Sequence, residues 1–596
     1  MPLGARAWIA DGRRGALVAA DGTIDWYCPT GVEGRPALWR LLDPAGAAVR
    51  VGPARPPAGR AGGTRRLPPS TQRYVPGTNV ATTVLAASDG RRAEVVDLLP
   101  WPGPNETAPG RVVRLVRALS GPIEIEVEVL PGPGGPAVAA TGEALVLGAQ
   151  VVRSGVALRP CPTGRDTVAW RAVRRLDAGE EMVVTLDDVA ERAHEPLAVD
   201  GAHRLVETTV AAWDSWLGPV SYDGPYRAAV ERSLLVVRGL TGPGGAPAGA
   251  GTSSLPRRAG GERTEDGRWV RLSVAAGAAA TLAAVGLTED AEAAEAWLRR
   301  AVESSSPPWP AALTGDGAPV PDLEELPWAG WRASQPVVTG RPVLAVDLDL
   351  YGDVVAAVGA SSAGRGPGPL HAAWPALAGG ADWLADHWDD ADSGVWELRR
   401  RPRHLVASRL QAWSALDRMA RLARAANPLD LAATGWQEAA RETLRWVEAE
   451  GIAADGGLRL EPAPADDPDA ALLRVAWHGP WPAGHPIVER TVARILARLG
   501  AGALVSRYPD SVDDGVGGPD SPDLLASTWA VRALAATGRW EEAHERMQAI
   551  VALGGAIGLL ADAADPLSRE LLGNLPSTAV HLALIDAAVA LGAGPR

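Results

Sequence analysis

The sequence predicts a multidomain β + α protein: an N-terminal β-sandwich, a linker helix, and a C-terminal domain of paired helices. Three observations carry this. Short β-branched and alternating runs recur between turn signals over residues 1 to about 205. From about residue 203 the apolar period becomes helical. About a dozen Ala/Leu-rich helical stretches then follow without intervening strands, which rules out a βαβ fold and leaves paired helices or an α/α toroid.

The strands are read from 111-RVVRLVRAL-119, 122-PIEIEVEVL-130, 144-ALVLGAQVV-152 and 182-MVVTLDDV-189. Gly/Pro clusters such as 131-PGPGGP-136 separate them, and regularly spaced short strands of this kind point to a sandwich. The tract 52-GPARPPAGRAGG-63 reads as a loop. The segment 203-HRLVETTVAAWDSWL-217 has apolar residues at helical spacing and reads as the connecting helix. Helical stretches follow near 225–240, 272–286, 289–303, 343–359, 371–388, 405–425, 429–450, 485–500, 523–537, 540–553 and 576–592. No short fixed-period repeat of the solenoid kind is present. The expected domains are 1–202 for the sandwich, 203–220 for the linker helix and 221–596 for the helical domain.

The chain has 596 residues, 46% hydrophobic and 22% charged, which is long enough for more than one domain and ordinary for a globular protein. It contains 23 Trp, 6 Tyr and no Phe, and Arg supplies all the basic side chains because Lys is absent. This bias is most simply genomic. A net charge of −13 argues against a nucleic-acid partner, which needs a basic stripe. No apolar run reaches the ~20 residues that a membrane span requires, so no membrane partner is expected. The opening MPLGARAWIADGRRG lacks the apolar centre of a signal peptide. With only Cys28 and Cys161, far apart, a disulfide framework is not expected, and the location expected is cytoplasmic.

A P-loop requires a lysine and is excluded. The Gly-rich 240-LTGPGGAPAGAG-251 follows a predicted helix rather than a strand, which argues against a dinucleotide cofactor. The nine His show no metal-ligand spacing, and no G-x-S-x-G elbow accompanies them. No cofactor and no metal is implied. A lone histidine such as His404 or His581 is more often structural than catalytic. Most Trp of the helical half (Trp328, Trp331, Trp383, Trp388, Trp396, Trp413, Trp477, Trp481 and Trp529) should be core, with a subset forming flat walls for a sugar or another ring compound.

The segment 392-DSGVWELRRRPRHLVAS-408 sets Glu397 between Trp396 and a cluster of Arg399, Arg400, Arg401 and Arg403. An indole can desolvate a carboxyl and raise its pKa, keeping it protonated for acid work. The arginines would pull the other way if they point at it.

The stretch 9-IADGRRGALVAADGTIDWYCP-29, with 21-DGTIDW-26 at its centre, resembles the opening of bacterial family 15 glycoside hydrolases, the glucoamylase and trehalase type. The resemblance continues in family order through 252-TSSLPRRAGGERTEDGRW-269, 326-LPWAGWRASQPV-337, 348-LDLYGDVV-355, 392-DSGVWELRRRPRH-404, 524-LLASTW-529 and 572-LGNLPSTAVHLALIDAA-588. It implies an N-terminal β-sandwich, a linker helix and a catalytic (α/α)6 barrel. It gives Glu397 the role of general acid toward the leaving glycosidic oxygen, and Asp520, in 514-DGVGGPDSPDLLASTW-529, that of possible base for an inverting hydrolase. Trp331, Arg332, Asp347, Asp349, Trp396, Arg399 and His404 are the expected substrate-binding residues, and the partner implied is a small molecule, a glycoside or an apolar ring compound.

Departures from the family pattern are concentrated in the sugar clamp. Relatives carry N-W-D-Y-R-Y-x-W-L-R-D-A where this chain has 264-TEDGRWVRLSVA-275, so the Arg-Asp pair that grips the terminal sugar is Ser273 and Val274. Asp520 is a methylene shorter than the family's Glu, and Asp347 stands where the family has Gln. Loss of charged hydrogen bonds costs about 1.5–3 kcal/mol each. The expected function is a glucoamylase-like inverting hydrolase for an unusual or modified glycoside. Its alternatives are a non-sugar acid/base enzyme (a cyclase, dehydratase or isomerase of a secondary metabolite) or an inactive binding homologue. The sequence does not fix an oligomeric state.

Overall fold

A computed structural model describes residues 1–55, 70–104, 106–133, 139–141, 143–162, 168–189, 196–342, 346–365, 368–426 and 430–594. Residues 56–63 of the Pro/Gly tract and 134–136 of the 131–136 cluster lie outside them. Two antiparallel sheets form the N-terminal half. The first runs Arg6–Ala10, Gly15–Ala19, Thr23–Cys28, Ala48–Pro53, Ile123–Leu130, Val168–Leu176 and Arg159–Pro162 across the sheet. The second runs Ala139–Thr141, Ala144–Leu147, Gln150–Arg153, Glu181–Asp188, Arg111–Ala118, Arg92–Leu98, Ala81–Ala86 and Thr71–Tyr74.

Burial explains why 111-RVVRLVRAL-119 is apolar nearly throughout instead of alternating. Val112 and Val116 face the core between the sheets. Val113 and Leu115 face outward, where helix α1 (Val199–Leu217) covers them with Ala202. Arg114 shares the inward face by strand alternation. Its Nε donates to Asp97 Oδ1 at 2.6 Å, both side chains are 0% exposed, and Nη2 donates to the Gly22 carbonyl across the sandwich at 2.8 Å. Trp101, Trp213 and Trp216 stack and edge together, fixing α1 to the sandwich.

Among the described residues twelve further helices follow: α2 (Arg227–Leu240), α3 (Leu272–Ala284), α4 (Thr288–Glu303), α5 (Asp349–Arg365), α6 (Gly368–His387), α7 (Val406–Ala426), α8 (Leu431–Glu450), α9 (Val475–His478), α10 (Pro486–Leu499), α11 (Leu524–Ala536), α12 (Trp540–Leu553) and α13 (Thr578–Gly592). Helices α3, α5, α7, α9, α11 and α13 pack each against the next, and α13 closes on α3. The other six lie outside this ring, each against an inner neighbour, so the helical half is an (α/α)6 barrel. Sequence periodicity does not show α9, because it is a single turn extending the 3-10 turn Ala470–Arg474. Helix α5 starts at Asp349, not at 343, since Asp347 and Leu348 are non-helical. No helix among the described residues is long and apolar enough to cross a membrane.

Connections from an inner helix to the next outer one are short, as between α11 and α12, whereas those from outer to inner are long, such as 241–271, 388–405 and 554–577. All long loops therefore meet at the N-terminal ends of the inner helices, which is the barrel mouth. The sandwich is joined to the barrel through side chains: Trp26 Nε1 donates to the Gly251 carbonyl at 2.9 Å, and Arg232 of α2 donates to the Thr78 carbonyl at 2.8 Å. Gly251 also lies against the Trp8 indole, so closely that a Cβ there would contact the ring.

Candidate active site

A cavity of about 710 Å³ opens among the mouth loops and continues between the inner helices, within the ~300–1,000 Å³ usual for small-molecule sites. Glu397 lines it, 10% exposed, on the loop before α7. Its backbone is left-handed (φ 55°), a conformation that costs about 1–3 kcal/mol in a non-glycine residue and is often kept at functional sites. Glu397 N–H donates to the Gly394 carbonyl at 2.9 Å, which fixes the turn that aims the side chain.

The arginines that grip Glu397 are mostly not its sequence neighbours. Arg271 and Arg341 both donate to Oε1, the latter at 2.5 Å. Of the neighbours, Arg400 pairs with Asp513 and Arg403 with Glu461, facing away, and only Arg399 turns toward the cavity, 3.9 Å from Glu265. Burial raises the Glu397 pKa, but Arg271, Arg341 and Arg399 outweigh it and hold the carboxyl down at about 2.

A second carboxyl lines the same cavity, on the loop before α13. Burial, with Glu265 adding to it, pushes Asp562 up to about 7 against the pull of Arg257. One Asp562 oxygen accepts the Asn574 N–H at 2.7 Å. Sequence reading did not single out Asp562, Arg271 or Arg341, and it met Glu265 only as a departure from the family pattern. Asp562 stands ten residues before the 572–588 stretch that carries the family resemblance, and Arg271 lies inside the altered 264–275 segment, so nearness to those stretches is the signal each carries in the sequence.

Asp520 is placed differently from the expectation. It does not line the cavity, because Arg257 Nε at 2.9 Å and Arg507 Nη2 at 2.6 Å take its two oxygens. Despite burial these arginines hold its pKa below the usual carboxylate range, so it is an ionised partner of two guanidinium groups off the cavity. Of the expected binding residues, Trp396 and Arg399 line the cavity. Trp396 is fixed by Nε1 donating to Asp469 at 2.7 Å and by packing on Trp529. The others lie off it. Trp331 is buried, and Arg332 stacks on it while making a two-pronged pair with Glu570 at 2.8 and 2.6 Å. His404 Nδ1 lies 3.0 Å from Arg409, and His581 is buried between Ser233 and the Leu560 N–H. Ser273 and Val274 do face the cavity, so the positions of the family's clamp present a hydroxyl and an isopropyl group.

Asp347 and Asp349 sit with Asp392 in a buried cluster whose oxygens lie within 4.8 Å of one another, outside the cavity lining. Arg409 and Arg474 approach it at 3.2 and 3.5 Å. Burial pushes Asp392, Asp469 and Asp562 each up to about 7. A carboxyl raised in the fold stabilises fully below its unfolded pKa near 4, and that contribution is lost as pH rises through the folded value. Thermal unfolding followed by circular dichroism should therefore give a Tm that falls between about pH 5 and pH 8. A level or rising Tm over that range contradicts the neutral state of these carboxyls.

The family model described as glycosyl hydrolases family 15 matches residues 242–551. A trehalase of Mycolicibacterium smegmatis is 27% identical over 99% of this chain and 91% of its own length. A trehalase of Thermoplasma volcanium is 25% identical over 98% and 92%. In three dimensions the chain is similar to a bacterial glucoamylase complexed with acarbose, with a TM-score of 0.69 at 11% identity, over 98% of this chain and 93% of that one, which is a likeness of fold. Since the family model spans more than half of the residues, the chain belongs to glycosyl hydrolases family 15.

Proposed function

We propose that the protein is a glycoside hydrolase whose two working carboxyls are Glu397 and Asp562. The observation that carries this reading is that both line one cavity while their surroundings push their pKa values apart, to about 2 and about 7. Such divergence is how a site separates acid from base. At neutral pH Glu397 is a carboxylate and Asp562 retains a proton for much of the time. Asp562 then protonates the leaving glycosidic oxygen, while Glu397 orients the attacking water or stabilises positive charge at the anomeric carbon. The resemblance gives the proton to Glu397; Arg271, Arg341 and Arg399 are the reason for exchanging the roles. Asp520 acts as a positioning residue, holding Arg257 beside Asp562.

The substrate class follows from the wall. Relatives are named trehalases and glucoamylase, but Ser273 and Val274 supply no charged grip for a plain glucose ring. The reading is therefore an unusual or modified glycoside, hydrolysed in the cytoplasm, where the free Cys28 and Cys161 stay reduced. Purified protein given trehalose, maltose and starch should turn over none of them in the usual range of roughly 1–1,000 per second. Turnover in that range on any of the three sinks the modified-substrate reading.

One observation favours a second reading. Two guanidinium groups on a single oxygen of Glu397 also make a structural lock, as a non-catalytic binding homologue would carry. Ligand binding without hydrolysis across a panel of glycosides decides for that reading.

A further inference from the structure

Below the two carboxyls the cavity runs deep into the barrel. Arg418 is twelve residues into α7 and Arg532 eight into α11, about 18 and 12 Å along their helices. Both line the cavity, with Arg474 at the start of α9 and His478 at its end. Small residues on α3, Gly277 and Ala280 among them, leave the passage open beyond Ser273 and Val274.

Three guanidinium groups therefore meet around one imidazole. Arg474 pairs with Asp353 and, at 3.5 Å, with Asp349, and Arg532 pairs with Asp586. Arg418 makes no ion pair or hydrogen bond among the described residues, and its buried Nε lacks a partner. Its adjacent acid, Asp417, is taken by Arg421 at 2.8 Å. His478 Nδ1 is likewise buried without a partner. Of the three guanidinium charges only that of Arg418 is without an ion-pair partner among the described residues. Burying such a charge is costly unless something pairs with it. The guanidinium planes are also held in place: Arg532 lies over the Trp477 ring at 4.5 Å and Arg474 over Trp529 at 5.5 Å. Fixed, forked donors of this kind match the oxygens of a carboxylate, sulfate or phosphate.

We propose that the inner end of the cavity is a binding site for an oxyanion group carried by the small-molecule ligand, held by Arg418, Arg474 and Arg532 beside His478. Burial and then Arg474, Arg532 and Arg418 lower the His478 pKa well below its ordinary value, so the imidazole there is neutral and adds no charge of its own. The missing sugar clamp and the cavity arginines then form one arrangement, in which the ligand is gripped by its charge at the far end of the cavity instead of by its hydroxyls at Ser273 and Val274.

The inference rests on the hydrolase reading only in making the bound molecule a substrate; binding without turnover leaves it standing and defeats that reading alone. Isothermal calorimetry on the full chain, with glucuronate, glucose 6-phosphate and glucose as probes, tests it. At least one anionic sugar should bind about 10-fold or more tightly than glucose, and Arg418→Gln should abolish the difference. Arg418→Gln also removes a half-buried charge that has no ion-pair partner among the described residues, so its unliganded Tm should hold or rise, which separates loss of the site from loss of the fold. Equal binding of all three sugars, or an anionic preference that survives Arg418→Gln, overturns the proposal.

Discussion

Asp562→Asn is expected to lower turnover of the cleaved glycoside by about 10²–10⁴-fold, the usual worth of general acid–base catalysis. The amide keeps the shape and the Asn574 contact but cannot deliver a proton. The loss should shrink on aryl glycosides with a good leaving group, because such an oxygen departs without protonation. Glu397→Gln should cost a similar factor on every leaving group, and added azide should restore part of it by replacing the activated water. The wild-type rate should fall as pH rises through about 7, where Asp562 loses its proton, and should persist far into acid because Glu397 stays ionised down to about 2. If Asp562→Asn keeps full activity, or if Glu397→Gln alone is relieved by a good leaving group, the exchanged roles are wrong and Glu397 is the acid.

The largest stability effect should come from the sandwich. Asp97→Ala leaves Arg114, wholly buried between the sheets, without its carboxylate, and is expected to cost about 3–5 kcal/mol. Urea unfolding followed by fluorescence should show the midpoint move with an unchanged slope. Asp97→Leu combined with Arg114→Leu should recover most of the loss, since replacing both partners by apolar groups removes the stranded charge. A single variant within about 1 kcal/mol of wild type would show that the Gly22 and Val49 carbonyls alone satisfy Arg114.

These two sites also mark what can be read from sequence. Strand alternation in 122-PIEIEVEVL-130 gives the strand Ile123–Leu130, but it points Glu126 and Glu128 to water, whereas both are buried because Arg50 and Arg171 reach them. Helical period finds the long helices and misses α9, since one turn has no period. Glu397 was legible from its own neighbours, Trp396 above all. Its protonation was not, because Arg271 and Arg341 are brought to it by the fold while Arg400 and Arg403 turn away. The position of Asp520 in its loop does not reveal that both oxygens face arginines, nor that the cavity is lined by Asp562 from another loop.

The indoles of Trp8 and Trp26 rest on Gly251, nine residues inside the segment that the family model matches. A truncated gene encoding that segment alone would strip the indoles from its first loop and leave Arg232 and its partners Thr78 and Asn79 behind. The matched segment therefore does not carry its own cover: the boundary of the family match runs through the packing between sandwich and barrel, not between two closed surfaces.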